Sequence, residues 1–416
     1  AQVMMIKDKS LQRNPLLRLM LDESLYYLAF SFYFIIGALE HTTFTEFLFI
    51  PVDILQSVLQ VAVLMLLLLK FGMQRASFKG WLIATALVLL GFLSWRQSGE
   101  GWLFWVALFV VCSHGVRLRP LAWLSFSLSL LTVATAMAFA GAGIIENVVT
   151  TRAGVTRYAM GFSHANFLGL YLLIVCMSFS VLRFGKNPLP DLALIGVADA
   201  INLATADSRT TVLLSALQAA LLVTFYVLRS ETARRRARFC FGAVVFLAVA
   251  LSIYFMVFFD ASSAWQAALN DFLSGRLNLA HRYFLMQPLT LLGSDFSGYA
   301  PIYWENGKTY AFVVDNAWCH LILRFGVLPA FAFITGYGLL LLRMLRGKRW
   351  DALLFGIVLM AVYGFSETLG VRFECNYFLF ALGAELLYIS PVAKELSRPS
   401  EERDAVRKKG SVVPRA

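Results

Sequence analysis

Arginines gather in the only long hydrophilic stretch of this chain, which covers about residues 260–312. Arg276 and Arg282 lie six residues apart there. Their forked donors suit the oxygens of a diphosphate better than the point charge of a lysine would. The alternative is an amphipathic helix whose arginines contact lipid headgroups. Because arginine near a bilayer usually holds a partner, we expect both residues to bind substrate, with Arg282 the better candidate.

Asp315 and Asn316 follow that stretch and begin an apolar run. Aspartate is well placed at a helix start, so a capping role competes with a catalytic one. As a general base, Asp315 would take a proton from an acceptor hydroxyl. Nearby arginines would lower the pKa of Asp315 and weaken it as a base, so orienting the acceptor is an open alternative. Asn316 is the neighbouring candidate for substrate binding.

His164 and Asn166 lie in the segment Gly161-Phe162-Ser163-His164-Ala165-Asn166, where another apolar run begins. A histidine at the end of a span is often only interfacial. Here Ser163 and Asn166 add polar groups where lipid would prefer none, which favours a site. We therefore expect a catalytic role for His164 and a substrate-binding role for Asn166. The histidines are scattered and no carboxylate cluster accompanies them, so a metal site is not predicted.

Two more arginines lie beside apolar runs. Arg209 ends the turn Asp207-Ser208-Arg209 at the start of a run, where a cation opposes the helix dipole. Its alternative role is an interfacial arginine paired with Asp207. Arg372, with Glu367 and Glu374, flanks the last polar turn, where mutual salt bridges are the default explanation. We expect Arg209 and Arg372 to contribute to substrate binding.

The remainder of the chain is apolar, and this decides the class of protein. Hydrophobic residues make up 59% of it, charged residues 15%, and the mean hydropathy is +0.70. A soluble domain with that composition would expose large apolar patches. The apolar runs are continuous rather than alternating, which disfavours a barrel. The net charge of +11 follows the positive-inside pattern, so the expected surroundings are a lipid bilayer and no nucleic acid is expected as a partner.

Apolar runs of near-bilayer length predict an all-α polytopic membrane protein with about 12 transmembrane helices in a single domain, 1–416. The runs cover about 23–40, 48–69, 80–95, 101–114, 120–140, 162–182, 189–206, 210–229, 239–259, 314–342, 351–370 and 376–392. An even number of spans places both termini on one side, and the basic residues near them make that side the cytoplasm, so 260–312 is expected to be a large extracytoplasmic loop. Within it we expect one or two amphipathic helices over 264–292 and an irregular lid over 293–308. The tail, 393–416, is expected to be cytoplasmic and disordered.

At these residues the chain resembles the superfamily of O-antigen polymerases and O-antigen ligases, which are integral-membrane glycosyltransferases acting on undecaprenyl-diphosphate-linked glycans. Arg282 and Gly293, with ten residues between them, match one family spacing. Asn316 and Gly326, with nine residues between them, match a second, although Asp315 stands where the family has histidine.

Two earlier motifs add to the resemblance. The pair Ser208-Arg209 fits an outward Ser-Arg that is common in the family. Gly161, His164 and Asn166 are similar to a stretch in polymerases of capsule and exopolysaccharide pathways. The departure at Asp315 favours a polymerase over a ligase.

The resemblance implies a GT-C-type glycosyltransferase in the bacterial plasma (inner) membrane, with its active site facing outward. A growing glycan on undecaprenyl diphosphate would be the donor, and the non-reducing sugar of a new lipid-linked repeat unit the acceptor. The reaction would be inverting and would use no cofactor, and the arginines would remove the need for a metal. Other polysaccharide-assembly proteins are expected partners. The alternatives are an O-antigen ligase and a flippase or transporter of lipid-linked oligosaccharide. Polar residues at the outer edge disfavour a flippase, with Asp199 and Asn202 as exceptions.

Overall fold

The computed structural model describes residues 15–46, 51–74, 77–152, 154–296, 302–305, 308–311, 314–347 and 351–388. The predicted tail, 393–416, and parts of the loop 260–312 lie outside the described residues. Helices dominate the described part. In chain order, they are α1 Pro15–His41, α2 Val52–Met73, α3 Phe78–Ser98, α4 Trp102–Val111, α5 Leu118–Gly141, α6 Ala165–Arg183, α7 Leu189–Ala204, α8 Arg209–Val227, α9 Glu231–Phe258, α10 Ala264–Phe272, α11 Arg276–Met286, α12 Ala317–Phe325, α13 Val327–Arg346, α14 Ala352–Tyr363 and α15 Tyr377–Leu387.

Seven of these helices are long and apolar enough to cross a membrane within the described part of the chain, namely α2, α3, α5, α6, α8, α9 and α13. A mostly helical chain with this many long apolar helices is consistent with an all-α membrane protein. The run at 80–95, which looks short in the sequence, forms the 21-residue α3. A count of twelve spans and the GT-C fold stay predictions.

The structure differs from the predicted spans where apolar runs fold into shorter helices. The run 314–342 divides into α12 and α13 at Gly326, whose φ is +93°. A residue with positive φ cannot continue a right-handed helix, and glycine takes that conformation without strain. The runs 101–114 and 351–370 contain helices of only 10 and 12 residues, α4 and α14. Apolar length alone does not distinguish a span from a short, wholly buried helix.

The core lies around α6, where 78% of the most apolar window is buried, against 11% in α2. The short helices α4 and α14 are apolar on every face and almost entirely buried, as a helix surrounded by other helices must be. The long helices α2 and α3 leave leucines, isoleucines and phenylalanines exposed on their outer faces. An outward apolar surface of this kind suits lipid as the surrounding solvent.

Two antiparallel hairpins interrupt the helical architecture. β1, Val149–Arg152, pairs with β2, Val155–Tyr158, and β3, Ile302–Glu305, pairs with β4, Lys308–Ala311. The stretch 293–308, predicted as an irregular lid, thus contains a strand and the start of its partner. The stretch 264–292 contains two helices, α10 and α11, inside the predicted range.

The two ends of the helix bundle differ in their polar contacts. At one end, called here the site end, α6, α8 and α12 begin and α1, α3 and α7 end. Hydrogen bonds join these termini. The opposite end, called the basic end, contains ion pairs that each use a lysine or arginine. They are Lys70–Asp22, Arg117–Glu23, Arg183–Asp191, Arg238–Glu231 and Arg343–Glu385.

Candidate functional site

Arg276 is the centre of a charged cluster at the site end. It is the first residue of α11 and follows Gly275, whose φ is +85°. Its Nε lies 3.0 Å from Oδ2 of Asp315, and its Nη2 lies 2.5 Å from Oε1 of Glu367. Nη1 donates to the Thr210 hydroxyl at 3.2 Å. One guanidinium thus joins α11 to the starts of α8 and α12 and to the turn after α14.

Asn166 and Arg157 extend the cluster toward α6. The Asn166 amide donates to Oε1 of Glu367 at 3.3 Å, and its own oxygen accepts from Arg157 Nη2 at 2.7 Å. The Arg157 Nε donates to the Ala206 carbonyl at 2.6 Å. A continuous chain of hydrogen bonds therefore runs from the β1–β2 hairpin to Arg276. We call Arg157, Asn166, Arg276, Asp315 and Glu367 the Arg276 cluster.

Arg152 pairs with Asp207 beside this cluster. Its Nη2 lies 2.6 Å from the Asp207 carbonyl oxygen and 3.2 Å from Oδ2. Asp207 has a φ of +43°, and Asn202 fixes the turn by bonding the backbone N–H and carbonyl of Ser208. Asn202, which looked like a polar residue within a span, is thus fully buried and holds this turn.

The starts of two helices explain why polar groups converge here. His164 caps α6, its Nδ1 accepting from the Asn166 N–H at 3.1 Å, and Asn316 caps α12, its Oδ1 accepting from Trp318 and Cys319 N–H groups. The first N–H groups of a helix lack partners within it, so polar side chains collect at its start. These N–H groups also carry partial positive charge, which favours an anionic ligand.

The capping role considered for Asp315 belongs to Asn316 instead. Asn316 is buried, and its amide donates to the Ser252 hydroxyl and the Phe365 carbonyl, both at 2.8 Å. All four hydrogen-bonding sites of this side chain are occupied by protein. Asp315 is left with Arg276 as its partner, and its side chain is 29% exposed. Of this pair, only Asp315 is placed to meet a substrate.

Glu367 has the most unusual electrostatic surroundings in the cluster. Burial is the largest influence on its carboxyl group, and together with the negative charge of Asp315 it outweighs the attraction of Arg276. The pKa of Glu367 is raised to about 7. One guanidinium cannot fully neutralise the charge of two carboxylates, so the pKa of one of the carboxyl groups is raised. A carboxyl group in this state can accept or release a proton near neutral pH.

His164 remains exposed at the edge of the cluster. Partial burial of the ring and the positive charge of Arg157 lower the pKa of His164. The ring is therefore neutral. Because Nδ1 accepts the Asn166 N–H, the neutral ring carries its proton on Nε2. In this tautomer Nε2 is a hydrogen-bond donor rather than a base.

Arg209 and Arg282 lie differently from the other predicted arginines. Arg209 is exposed at the first position of α8, next to Thr210, which contacts Arg276. Arg282 is half-buried on α11. At 3.6 residues per turn it faces about 120° away from Arg276 around the helix axis. The two arginines predicted to act together on this helix therefore have different surroundings.

Arg372 belongs to a second group of charges at the site end. Its Nη1 lies 3.5 Å from Oε2 of Glu40 and 3.8 Å from Oε1 of Glu374. The three side chains line a cavity of about 270 Å³ that also contains Glu100. The short segment from Glu367 to Arg372 connects this group to the Arg276 cluster.

Gly293 and Gly326, which end the two motif spacings noted in the sequence, pack against each other. Gly293 and Gly326 have φ values of +107° and +93°, and a Cβ atom at either one would overlap the backbone of the segment containing the other. The Ser294 N–H donates to the Arg324 carbonyl at 3.0 Å, and the Val327 N–H to the Thr290 carbonyl at 2.9 Å. These glycines fix the chain that follows α11 against the break between α12 and α13.

Sequence reasoning placed His164, Asn166, Arg276 and Asp315 near a site, and the structure brings them together. It did not assign Arg152, Arg157 or Thr210. Two short stretches rich in Val and Thr flank Gly154, a pattern typical of a hairpin, and could have indicated that Arg152 and Arg157 belong to one unit. Within the described residues, no group of three or more His, Cys, Asp or Glu side chains is arranged to hold a metal ion.

No protein-family model, no curated protein and no solved structure matches this chain.

Proposed function

We propose that the protein is a membrane glycosyltransferase that polymerises lipid-linked oligosaccharide repeat units. A growing glycan would move from undecaprenyl diphosphate to the non-reducing end of a new repeat unit. The observation that best supports this proposal is the Arg276 cluster. It gathers arginines and carboxylates, with the neutral His164 at its edge, at one end of an apolar helix bundle, opposite the end with the basic ion pairs.

Arg276 is the proposed ligand of the donor diphosphate. Its guanidinium can present two parallel donors to phosphate oxygens, as it now does to two carboxylates. On binding, the diphosphate would displace at least one carboxylate from this guanidinium. Arg157 belongs to the same cluster and Arg152 lies beside it. The starts of α6 and α8 add partial positive charge. Charge that develops on the leaving diphosphate would be stabilised by these groups.

Arg209 and Arg282 would contact the same substrate from the periphery. Arg209 is exposed next to Thr210, and Arg282 lies half-buried on another face of α11. Either guanidinium can meet a phosphate that is held partly in solvent. We assign them to guiding the lipid diphosphate rather than to stabilising the leaving group.

Glu367 is the proposed general base. The acceptor hydroxyl oxygen attacks the anomeric carbon of the donor sugar, and the bond from that carbon to the diphosphate oxygen breaks. The hydroxyl proton passes to Glu367, and undecaprenyl diphosphate leaves with the bonding electrons. A single direct displacement inverts the anomeric configuration. The raised pKa of Glu367 suits this transfer better than a strongly acidic carboxylate would.

Asp315 and His164 take supporting roles in this proposal. Asp315 orients Arg276 through the 3.0 Å contact with Nε and can accept a hydrogen bond from the acceptor. His164 donates from Nε2 to a substrate oxygen. Asn316, whose amide is fully occupied by protein, holds the start of α12 and not the substrate.

The direct test is incubation of the purified protein in detergent with lipid-linked repeat units and a chelator, followed by gel separation of the glycans. A ladder spaced by one repeat unit is the expected product. A single transfer to a different acceptor would identify a ligase. Movement of lipid-linked units across proteoliposomes without a new glycosidic bond would identify a flippase and overturn the proposal.

A further inference from the structure

The cavity lined by Arg372 lies at the site end, between the ends of α1 and α3 and the start of α4. Its volume is about 270 Å³, just below the ~300–1,000 Å³ range of ligand pockets. Such a space is suited to one sugar ring, not to a lipid or a long chain. We call it the tryptophan cavity because Trp95, Trp102 and Trp105 line it, with Tyr33 beside them.

The aromatic lining is fixed in place. Trp95 is half-buried at the end of α3, over Gly101, where an added Cβ would lie 3.0 Å from the indole ring. It stacks on Phe104 with a centroid separation of 5.4 Å. Trp102 and Trp105 are buried. Rigid aromatic rings give a large apolar contact area at a low cost in conformational entropy, and the C–H face of a pyranose can use such an area.

Carboxylates complete the cavity lining. Glu374 is buried, with 4% of its side chain exposed, and its Oε2 has no hydrogen-bond partner among the described residues. Glu40 is 43% exposed, and Glu100 accepts from the Trp102 indole at 3.1 Å. A buried oxygen without a partner is costly and indicates a place for a ligand that donates a hydrogen bond.

The charges around the cavity disfavour an anionic occupant. Glu100 pairs with Arg324 at 3.3 Å. The other two carboxylates of the lining, Glu40 and Glu374, share one arginine, Arg372. A phosphate or a uronic acid would meet like charges, which cost several kcal/mol in a desolvated site. Hydroxyl groups can both donate to carboxylates and accept from a guanidinium. The matching ligand is a neutral or amino-bearing polyhydroxylated ring.

Short connections join the cavity to the Arg276 cluster. The segment from Glu367 to Glu374 has one end in the cluster and the other in the cavity wall. His41, next to Glu40 in the chain, stacks on Phe167 with a centroid separation of 4.3 Å, and Phe167 also contacts His164. A glycan whose reacting sugar lies at Glu367 could therefore extend a neighbouring sugar toward the cavity.

We infer that the tryptophan cavity is a sugar subsite that binds a neutral or amino hexopyranose ring of the glycan, stacked on Trp95 and hydrogen-bonded to Glu40 and Glu374. This inference rests on the proposed function for its link to catalysis. It adds a substrate restriction, because the sugar bound here carries no acidic group.

Saturation-transfer-difference NMR on the purified protein in detergent tests the subsite with methyl glucoside, methyl glucosaminide and methyl glucuronide. The first two should receive magnetisation, and the glucuronide about tenfold less. Trp95→Ala should weaken the signal about fivefold, since one stacking face is lost. Glu40→Gln, at a partly exposed position, should weaken the glucosaminide more than the glucoside.

Trp123→Ala is the matched control, because Trp123 is 55% exposed on α5, near the basic end, and its loss should leave the signals unchanged. Equal signals from all three sugars, or signals unaffected by both Trp95→Ala and Glu40→Gln in folded protein, would overturn the inference. Ladder formation separates this result from the proposed function. Ladders without any sugar signal would remove only the subsite, whereas a sugar signal without ladders would keep it and remove the polymerase.

Discussion

A single guanidinium, that of Arg276, organises the candidate site. Residue type and position predicted that Arg276 and Asp315 lie near a substrate, because charged groups beside apolar runs are rarely without a partner. The sequence could not show that Glu367, 91 positions from Arg276, contacts the same guanidinium, since pairing at that separation depends on how the helices pack. The sequence favoured Arg282 over Arg276. It could not show that the two side chains lie on different faces of α11.

Replacement of each carboxylate separates their roles. Glu367→Gln should lower the rate of glycan transfer about 100-fold, because the proposed base is removed. Asp315→Asn should lower it about tenfold, because the amide weakens the orientation of Arg276 without removing the base. Initial rates of ladder formation measure both, with melting temperature as the check on folding. A larger loss in Asp315→Asn than in Glu367→Gln would assign the base role to Asp315.

The raised pKa of Glu367 predicts opposite pH dependences of stability and rate. In the folded state this carboxyl has a pKa of about 7, whereas an unfolded glutamate has one of about 4.3. Its stabilising contribution is therefore complete below about pH 4 and is lost as the pH rises through about 7. The transfer rate should rise over that same upper range, because the ionised carboxylate is the base.

Melting temperatures and initial rates of wild type and Glu367→Gln between about pH 5 and 8 measure this effect. Glu374, whose pKa is also raised by burial to about 7, adds a slope of the same sign to both proteins. Only the difference between them reports on Glu367. Identical melting slopes in the two proteins would show that Glu367 is ionised throughout.

At the scale of elements, helix starts and glycines position the site. The starts of α6, α8 and α12 provide its polar groups, and the contact between Gly293 and Gly326 fixes the chain after α11 against the break between α12 and α13. Gly326 lies inside the apolar run 314–342 and could have indicated a break between two helices. An isolated glycine is nevertheless tolerated in many helices. The positive φ of Gly326 depends on the approach of Gly293, which the sequence does not show.

Gly326→Ala should destabilise the protein by at least about 1–3 kcal/mol, because its φ of 93° and ψ of 165° lie in a region that essentially only glycine adopts. Overlap with the backbone at Gly293 adds to that cost. Gly338→Ala on α13 is the control, because an added Cβ there meets nothing within 4 Å, and alanine favours the helix. Thermal unfolding in detergent measures both. Equal melting temperatures in the two variants would mean that the glycine contact is not maintained in solution.

The whole molecule has a basic end and a site end, and composition predicted this arrangement better than it predicted the spans. Five ion pairs that each use a lysine or arginine lie at the basic end, in agreement with the positive-inside pattern, while the arginines of the candidate site lie at the other end. The number of spans was harder to predict, because α4 and α14 are as apolar as true spans although each is too short to cross a bilayer alone. Apolar runs indicate burial, and neighbouring helices can bury a segment as completely as lipid does.

Cysteine labelling tests the orientation of these two ends. Ser230→Cys would add an exposed thiol at the basic end of α9, and Ser262→Cys would add one at its site end. A membrane-impermeant maleimide added to spheroplasts should label Ser262→Cys, and should label Ser230→Cys only after permeabilisation. The reverse pattern would place the Arg276 cluster in the cytoplasm.

The central claim is that Arg276 binds the donor diphosphate and stabilises it as it leaves. The most direct measurement is the rate at which purified wild type, Arg276→Lys and Arg346→Ala release undecaprenyl diphosphate from lipid-linked repeat units. Lysine keeps the charge but loses the fork, so Arg276→Lys should be about 100-fold slower. Arg346→Ala, an exposed change at the basic end of α13, should match wild type. Release by Arg276→Lys within about twofold of the wild-type rate, well short of the loss expected for a transition-state contact, would contradict the claim.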